Sequence, residues 1–160
     1  MNGLNGADDR FAEDEHQRFA RYLRELAVVR DEDEADLVTR ILRDSDTTMA
    51  QSAIIRHLDR RAALLMTDDG FTAWARTMAE ISAKREFLAR RLREWTLLRS
   101  IAMGESWGSE EVTTGSDWFQ RKAVETLPSP AVLSLLAEAG RTRRVRAEAS
   151  RRLRQRFHRN

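Results

Sequence analysis

Arginine is the residue type whose number and placement in this chain could do chemistry. Nine arginines and a single acid, Glu148, lie in the last twenty residues, whereas residues 1–40 carry eleven acids and six bases. Guanidinium groups bind carboxylates and phosphates through paired hydrogen bonds, and a helix covered with them creates a strong positive field. The residues predicted to bind a partner or phosphate in this segment are Arg143, Arg144, Arg146, Arg151, Arg152 and Arg154.

Two other interpretations of these arginines stay open. Arginine is the default base of the chain, since Lys84 and Lys122 are its only lysines. The basic segment is therefore, in one alternative, an ordinary solvated helix surface. In the other alternative, its charges pair internally with the acidic residues between Asp31 and Asp36.

The sequence contains no pattern that predicts catalysis or metal binding. His16, His57 and His158 stand far apart, have no second ligand at metal-binding spacing, and are each expected to be exposed. Cysteine is absent, which excludes disulfides and thiolate sites. Phosphate-binding glycine loops and nucleophile motifs are also absent. We therefore predict a protein that is not an enzyme and has no catalytic, cofactor-binding or metal-binding residues.

Trp107 is the candidate contact residue outside the basic segment. It lies among polar residues and glycines in the segment 104–116. An indole in such a segment either closes over the core as a lid or anchors a partner. Trp74 and Trp95 instead follow the apolar spacing of predicted helices, so we expect them in the core.

The elements that must position these residues are all predicted to be helices. Seven glycines and two prolines leave long stretches of helix-forming residues, in which apolar side chains recur at steps of three and four. The predicted helices span residues 11–30, 34–43, 49–66, 71–103, 117–127, 130–139 and 142–157. The segment 71–103 is either one helix or two that break near Ser82–Arg85. The fold class is therefore predicted as all-α.

The domain organisation predicted from these elements is simple. Residues 1–10 are expected to be a disordered N-terminus, and residues 11–160 a single helical domain with a polar loop at 104–116. No apolar run reaches the roughly 18 residues that suggest a membrane span. We therefore expect a cytoplasmic protein without a membrane partner.

The last predicted helix combines an apolar stripe with the basic residues. Val145, Ala149, Leu153 and Phe157 fall on one face and are predicted to dock on the helix at 130–139. Ser129 before Pro130 marks the start of that docking helix, and Gly140 is expected to end it as its C′ residue.

Val145-Arg146, Ala149 and Leu153 also form the pattern V-R-x-x-A-x-x-x-L. This pattern resembles the core of HEAT-like (armadillo-type) helical repeats, and the segment 42–66 repeats it imperfectly. The resemblance implies a short HEAT-like solenoid in which Arg146 contacts the turn of its own or a neighbouring repeat. An irregular helical bundle is the alternative architecture.

Binding is the function that these features favour. We predict a non-enzymatic protein-interaction or adaptor module of helical-repeat type, whose contacts are a groove between helices and Trp107. The alternative is a nucleic-acid-binding protein that uses the arginine-rich C-terminal helix. A protein partner is thus expected, nucleic acid stays open as a second partner, and the sequence leaves the oligomeric state open.

Overall fold

The computed structural model describes residues 5–159, with side chains from residue 14 onward, and every regular element in that range is an α-helix. The all-α prediction is confirmed. The helices are α1 (Asn5–Val28), α2 (Asp31–Ile41), α3 (Thr47–Leu65), α4 (Phe71–Ile81), α5 (Glu86–Ala102), α6 (Ser109–Thr113), α7 (Asp117–Thr126), α8 (Pro130–Ala139) and α9 (Arg143–Phe157).

The segment 71–103 is two helices, α4 and α5, which separate at residues 82–85. The turn closes through a 2.8 Å hydrogen bond from the backbone N–H of Arg85 to the carbonyl of Ser82. The Arg85 guanidinium then donates to the carbonyl of Leu42 at 2.7 Å. Of the two alternatives left open by the sequence, the structure therefore contains the broken one.

Two predicted boundaries differ from the structure. Helix α1 begins at Asn5, so the expected disordered segment 1–10 is helical from residue 5, and residues 1–4 lie outside the described range. Apolar spacing missed these first turns because residues 5–10 are mostly polar.

The segment 104–116, predicted as a loop, contains the short helix α6. Its Val112 side chain is fully buried, while Glu110 and Glu111 lie in its first turn. A single apolar residue among polar neighbours produces no periodic signal, so the sequence pattern could not show this turn of helix.

The chain divides into two compact units, where the sequence analysis expected a single domain from residue 11. The first unit ends at Leu92 and the second begins at Arg93. Helices α1 to α4 and the first turns of α5 form the first unit, and each of α1 to α4 contributes residues to its core. Its core includes Leu26, Ile41, Ile54, Leu58, Phe71 and Trp74.

A buried carboxylate, Glu34, joins α2, α3 and α4 inside the first unit. It accepts hydrogen bonds from His57 at 2.6 Å, from the Trp74 indole at 3.1 Å and from Arg61 at 3.1 Å. Burial opposes ionisation of Glu34, but the bonds from His57 and Trp74 outweigh it and lower its pKa. His57 is itself buried, so the expectation that it is exposed was wrong.

A second carboxylate, Asp44, connects α1 to the turn between α2 and α3. Its oxygens accept from Arg18 at 3.1 and 3.2 Å, from the Tyr22 hydroxyl at 2.7 Å and from the backbone N–H of Asp46 at 2.9 Å. These bonds, led by the one from Tyr22, lower the pKa of Asp44 to about 2. Asp44 is therefore ionised in the folded protein at neutral pH.

The second unit contains the end of α5 and helices α6 to α9. Trp95 is buried, and its ring contacts that of Trp118 in a T-shaped arrangement with 5.3 Å between centroids, which confirms its expected place in the core. Val132, Leu133 and Leu136 of α8 are fully buried, and Val145 and Ala149 of α9 are buried with them. The predicted docking of α9 on α8 is therefore confirmed for the first half of the apolar stripe.

Helix α8 ends at Gly140, as predicted, and this C-cap residue has φ −58° and ψ 143°. A Cβ atom at this position would lie 2.6 Å from the carbonyl oxygen of Leu136. Position 140 therefore requires glycine, because the backbone of Leu136 leaves no room for a side chain. Among the described residues, positive φ occurs at Gly104.

Within the described part of the chain, these five arginines share one structural role, since each donates to a carbonyl at the C-terminal end of a helix in its own unit. Such carbonyls have no partner within the helix. The pairs are Arg60 with Leu26, Arg85 with Leu42, Arg141 with Gly115, Arg146 with Gly140, and Arg152 with Val124 and Leu127. We name these five residues the carbonyl-binding arginines.

The groove between α7 and α9

A groove of about 480 Å³ lies between α7 and α9 in the second unit. Helix α7 forms one wall of this groove. Ser116 caps the start of α7, and its hydroxyl accepts a hydrogen bond from the N–H of Phe119. The Gln120 side chain joins α7 to α6, because it donates hydrogen bonds to the carbonyls of Val112 and Thr113. The groove is lined by Arg121, Val124, Glu125, Arg144, Val145, Ala147, Glu148, Arg151 and Arg154.

The floor of the groove is apolar and its walls are charged. Val124 and Val145 are buried beneath it, and Ala147 presents a small, exposed side chain. Arg144, at one end, and Arg154, at the other, are ten residues apart on α9, a distance of about 15 Å along the helix axis. The groove therefore offers room for apolar side chains between two positive ends.

One ion pair crosses the surface of the groove within α9. Arg151 donates to both carboxylate oxygens of Glu148, with the Nε bond at 2.9 Å. The bond from Arg151 lowers the pKa of Glu148, so the pair stays ionised at neutral pH. Among the described residues, Arg121, Arg144 and Arg154 form no ion pair shorter than 4 Å, and they give the groove its positive character.

Two of the predicted site residues, Arg146 and Arg152, lie outside the groove. Arg146 donates to the carbonyl of Gly140 at 2.7 Å, and Arg152 donates to the carbonyls of Val124 and of Leu127, the latter at 3.1 Å. Their guanidinium groups are partly buried against the protein. These bonds direct both side chains to the body of the second unit.

The structure separates the other predicted residues as well. Arg144, Arg151 and Arg154 line the groove, whereas Arg143 is exposed away from it. Trp107 is partly exposed in the stretch between α5 and α6 and is not part of the groove lining. The sequence-predicted set thus includes groove residues, carbonyl-binding arginines and surface residues in different places.

The acidic segment between Asp31 and Asp36 has partners in its own unit. Asp31 and Glu34 bind Arg61, while Glu32 and Asp33 lie within 4 Å of Arg30. Most of these carboxylates therefore already have a neighbouring cation in the first unit.

Sequence reasoning missed Arg121 and Glu125 as groove residues. Arg121 lies three positions before Val124 and four before Glu125 on α7. Helical spacing therefore places both charged residues beside the apolar floor. That spacing shows neighbours on one helix, but it does not show that α9 packs alongside. Arg121 and Glu125 line a groove because α9 packs beside α7.

The buried pair Glu34 and His57 is the other constellation that the sequence did not show. Arg60 donates to Nδ1 of His57 at 3.0 Å, so the ring carries a proton on Nε2 and donates it to Glu34. The two side chains are 5% and 1% exposed. Burial keeps both groups away from any substrate, and the pair connects helices.

Comparisons with family models, with curated proteins and with solved structures give no match to this chain. Across the described residues, the side chains form no cluster of three or more metal-binding groups. No helix in the described part of the chain combines the length and apolar character that a bilayer crossing requires.

Proposed function

We propose that this protein is a non-enzymatic interaction module and that the α7/α9 groove binds an acidic segment of a protein partner. The observation that carries the proposal is the placement of Arg121, Arg144 and Arg154 around an apolar floor. Carboxylates of the partner would pair with these guanidinium groups, while an apolar side chain would lie over Val124 and Ala147.

The size of the groove suits a short segment of chain. The distance of about 15 Å between Arg144 and Arg154 corresponds to four or five extended residues at about 3.3 Å each. A bound segment with acids at both ends and an apolar residue between them matches this spacing. Glu125 and the ionised Glu148 would disfavour acids at the middle of the segment, which adds selectivity.

A helical-repeat architecture is part of the proposal. It is supported by the pairing of α8 with α9 and by the bond from Arg146 to the turn between them. Repeat proteins bind partners along the surfaces that their stacked helices create. The proposal places the protein in the cytoplasm, which cell fractionation with a tagged chain would test.

Filling the groove tests the function directly. The probe is a labelled seven-residue peptide with two glutamates at each end and leucine between alanines at the centre, and fluorescence anisotropy measures its binding. We expect Ala147→Trp, which places an indole on the exposed floor position, to weaken binding at least tenfold. Ala131→Trp, on an exposed position of α8 outside the groove, is the matched control and should bind as the wild type does.

A charge variant completes the test. Arg144→Gln combined with Arg154→Gln should also weaken the peptide at least tenfold, and a peptide with glutamine in place of glutamate should bind neither protein. Equal binding by the wild type and Ala147→Trp would contradict the groove as the site. Both variants change exposed residues, so melting temperatures within about 2 °C of the wild type would show that the fold is intact.

A further inference from the structure

The end of α9 carries an exposed aromatic side chain that the docking prediction did not anticipate. Along the apolar stripe, Val145 and Ala149 are buried, Leu153 is half-buried, and Phe157 is 80% exposed. Helix α9 has fifteen residues and α8 has ten. The last turn of α9 therefore extends beyond the helix that buries its first half.

This last turn is also strongly positive. Arg154, Arg156 and Arg159 are exposed on either side of Phe157. None of the three forms an ion pair shorter than 4 Å with a described residue, and the chain contains no acid after Glu148. We call the segment Arg154–Arg159 the α9 tip.

We propose that the α9 tip binds single-stranded nucleic acid, with a base stacked on Phe157 and the arginines on phosphates. Aromatic side chains within a basic surface bind single strands in this way, because every base has a flat face and every linkage carries a charge. In a duplex the base faces are covered by stacking, so the ring of Phe157 would have no partner there.

An acidic peptide suits the α9 tip less well than a single strand does. Phe157 stands on an exposed turn at the end of a helix, and four-fifths of its surface is open. An apolar peptide side chain would remain largely in water beside it, whereas a base can cover one face of the ring. The proposal goes beyond the groove function, because it rests on Phe157 and on the last turn of α9.

The test measures the binding of a labelled twelve-nucleotide oligothymidylate by fluorescence anisotropy at several salt concentrations. We expect Phe157→Ala to weaken binding about tenfold and Phe157→Trp to retain it. Phe87→Ala is the matched control, since Phe87 is also exposed and has an arginine, Arg91, over its ring. It should leave the dissociation constant unchanged.

Two further arms identify the groups that bind. Changing Arg154, Arg156 and Arg159 together to glutamine should reduce the slope of log affinity against log salt by about two or three. The same oligonucleotide paired with its complement should bind at least tenfold more weakly than the single strand. Equal binding of duplex and single strand would overturn the stacking role of Phe157.

The experiments can overturn the groove proposal and the α9 tip proposal independently of each other. Ala147→Trp fills the groove and should keep oligothymidylate binding, while Phe157→Ala should keep binding of the acidic peptide. Wild-type binding of oligothymidylate by Phe157→Ala would overturn the proposal for the α9 tip. Loss of the acidic peptide instead of the oligonucleotide in Phe157→Ala would overturn it in favour of a protein ligand. Melting temperatures of all variants establish that they are folded.

Discussion

The guanidinium of Arg146 donates a 2.7 Å hydrogen bond to the carbonyl oxygen of Gly140, six residues earlier in the chain. Gly140 is the C-cap of α8, and Arg146 lies in the first turn of α9. This hydrogen bond therefore joins the end of α8 to the start of α9 across the turn between them. The resemblance to helical repeats predicted such a contact for Arg146, while membership of that repeat family stays a prediction.

Replacing Arg146 should therefore weaken the α8–α9 pair. We expect Arg146→Ala to lower the free energy of unfolding by about 1–2 kcal/mol, because the Gly140 carbonyl loses a charged donor. Urea denaturation followed by circular dichroism measures the change. Arg143→Ala, one turn away and exposed, should cost less than about 0.5 kcal/mol, and an equal loss in both variants would contradict the role of the bond.

Gly115 should not tolerate a side chain. A Cβ atom there would lie 2.3 Å from the ring of Phe119, which is fully buried. We expect Gly115→Ala to lower the free energy of unfolding by about 1–3 kcal/mol through overpacking, as measured by thermal denaturation. Gly108→Ala is the control, since its nearest neighbour is the flexible end of Glu111 at 3.1 Å, and it should change stability little.

Asp44 should make the first unit sensitive to acid. Its pKa is lowered to about 2 from an ordinary value of 3.8, so the folded state holds the ionised form more strongly than the unfolded state does. The resulting stability is complete above about pH 4 and is lost as the pH falls towards 2. Thermal denaturation across that range should show the loss in the wild type and a smaller loss in Asp44→Asn, which lacks the titrating group. An unchanged pH dependence in the variant would contradict this account.

Glu34 should be among the most costly polar residues to remove. Glu34→Ala leaves His57, Trp74 and Arg61 without their shared acceptor in a buried setting. We expect the free energy of unfolding to fall by about 2–5 kcal/mol, because the buried donors of His57 and Trp74 are left without an acceptor, at about 1–3 kcal/mol each. Glu32→Ala provides the comparison two residues away, because its exposed contact with Arg30 should contribute at most about 1 kcal/mol. Chemical denaturation of both variants measures the difference.

The sequence predicted helices well because the signals that define them are local. Ser129 accepts from the N–H of Val132 and Pro130 follows it at the start of α8, as the residue types alone indicate. The break at residues 82–85 was one of the two alternatives that the sequence left open, and Arg85 is the charged residue that interrupts the otherwise apolar face there. Each of these features depends on neighbours within a few positions of the chain.

The groove and the buried carboxylates depend on residues that are far apart in sequence. Glu34 and Trp74 are separated by 40 positions, and neither residue type predicts that the other will be its hydrogen-bond partner. The basic segment was recognised as charged, but spacing could not separate Arg151, which pairs with Glu148, from Arg152, which binds carbonyls of α7. That distinction requires knowing which helix lies beside each face of α9.

The carbonyl-binding arginines impose an order on the chain as it is synthesised. In all five cases the arginine follows the carbonyl that it binds, by 6 residues for Arg146 and by 43 for Arg85. Each of these helix ends is therefore synthesised before the arginine that binds it, and its carbonyl has only water as a partner until that arginine is added. Among the five, the ends of α1 and α2 obtain their arginines first, with Arg60 and Arg85, and the end of α7 obtains its arginine last, with Arg152.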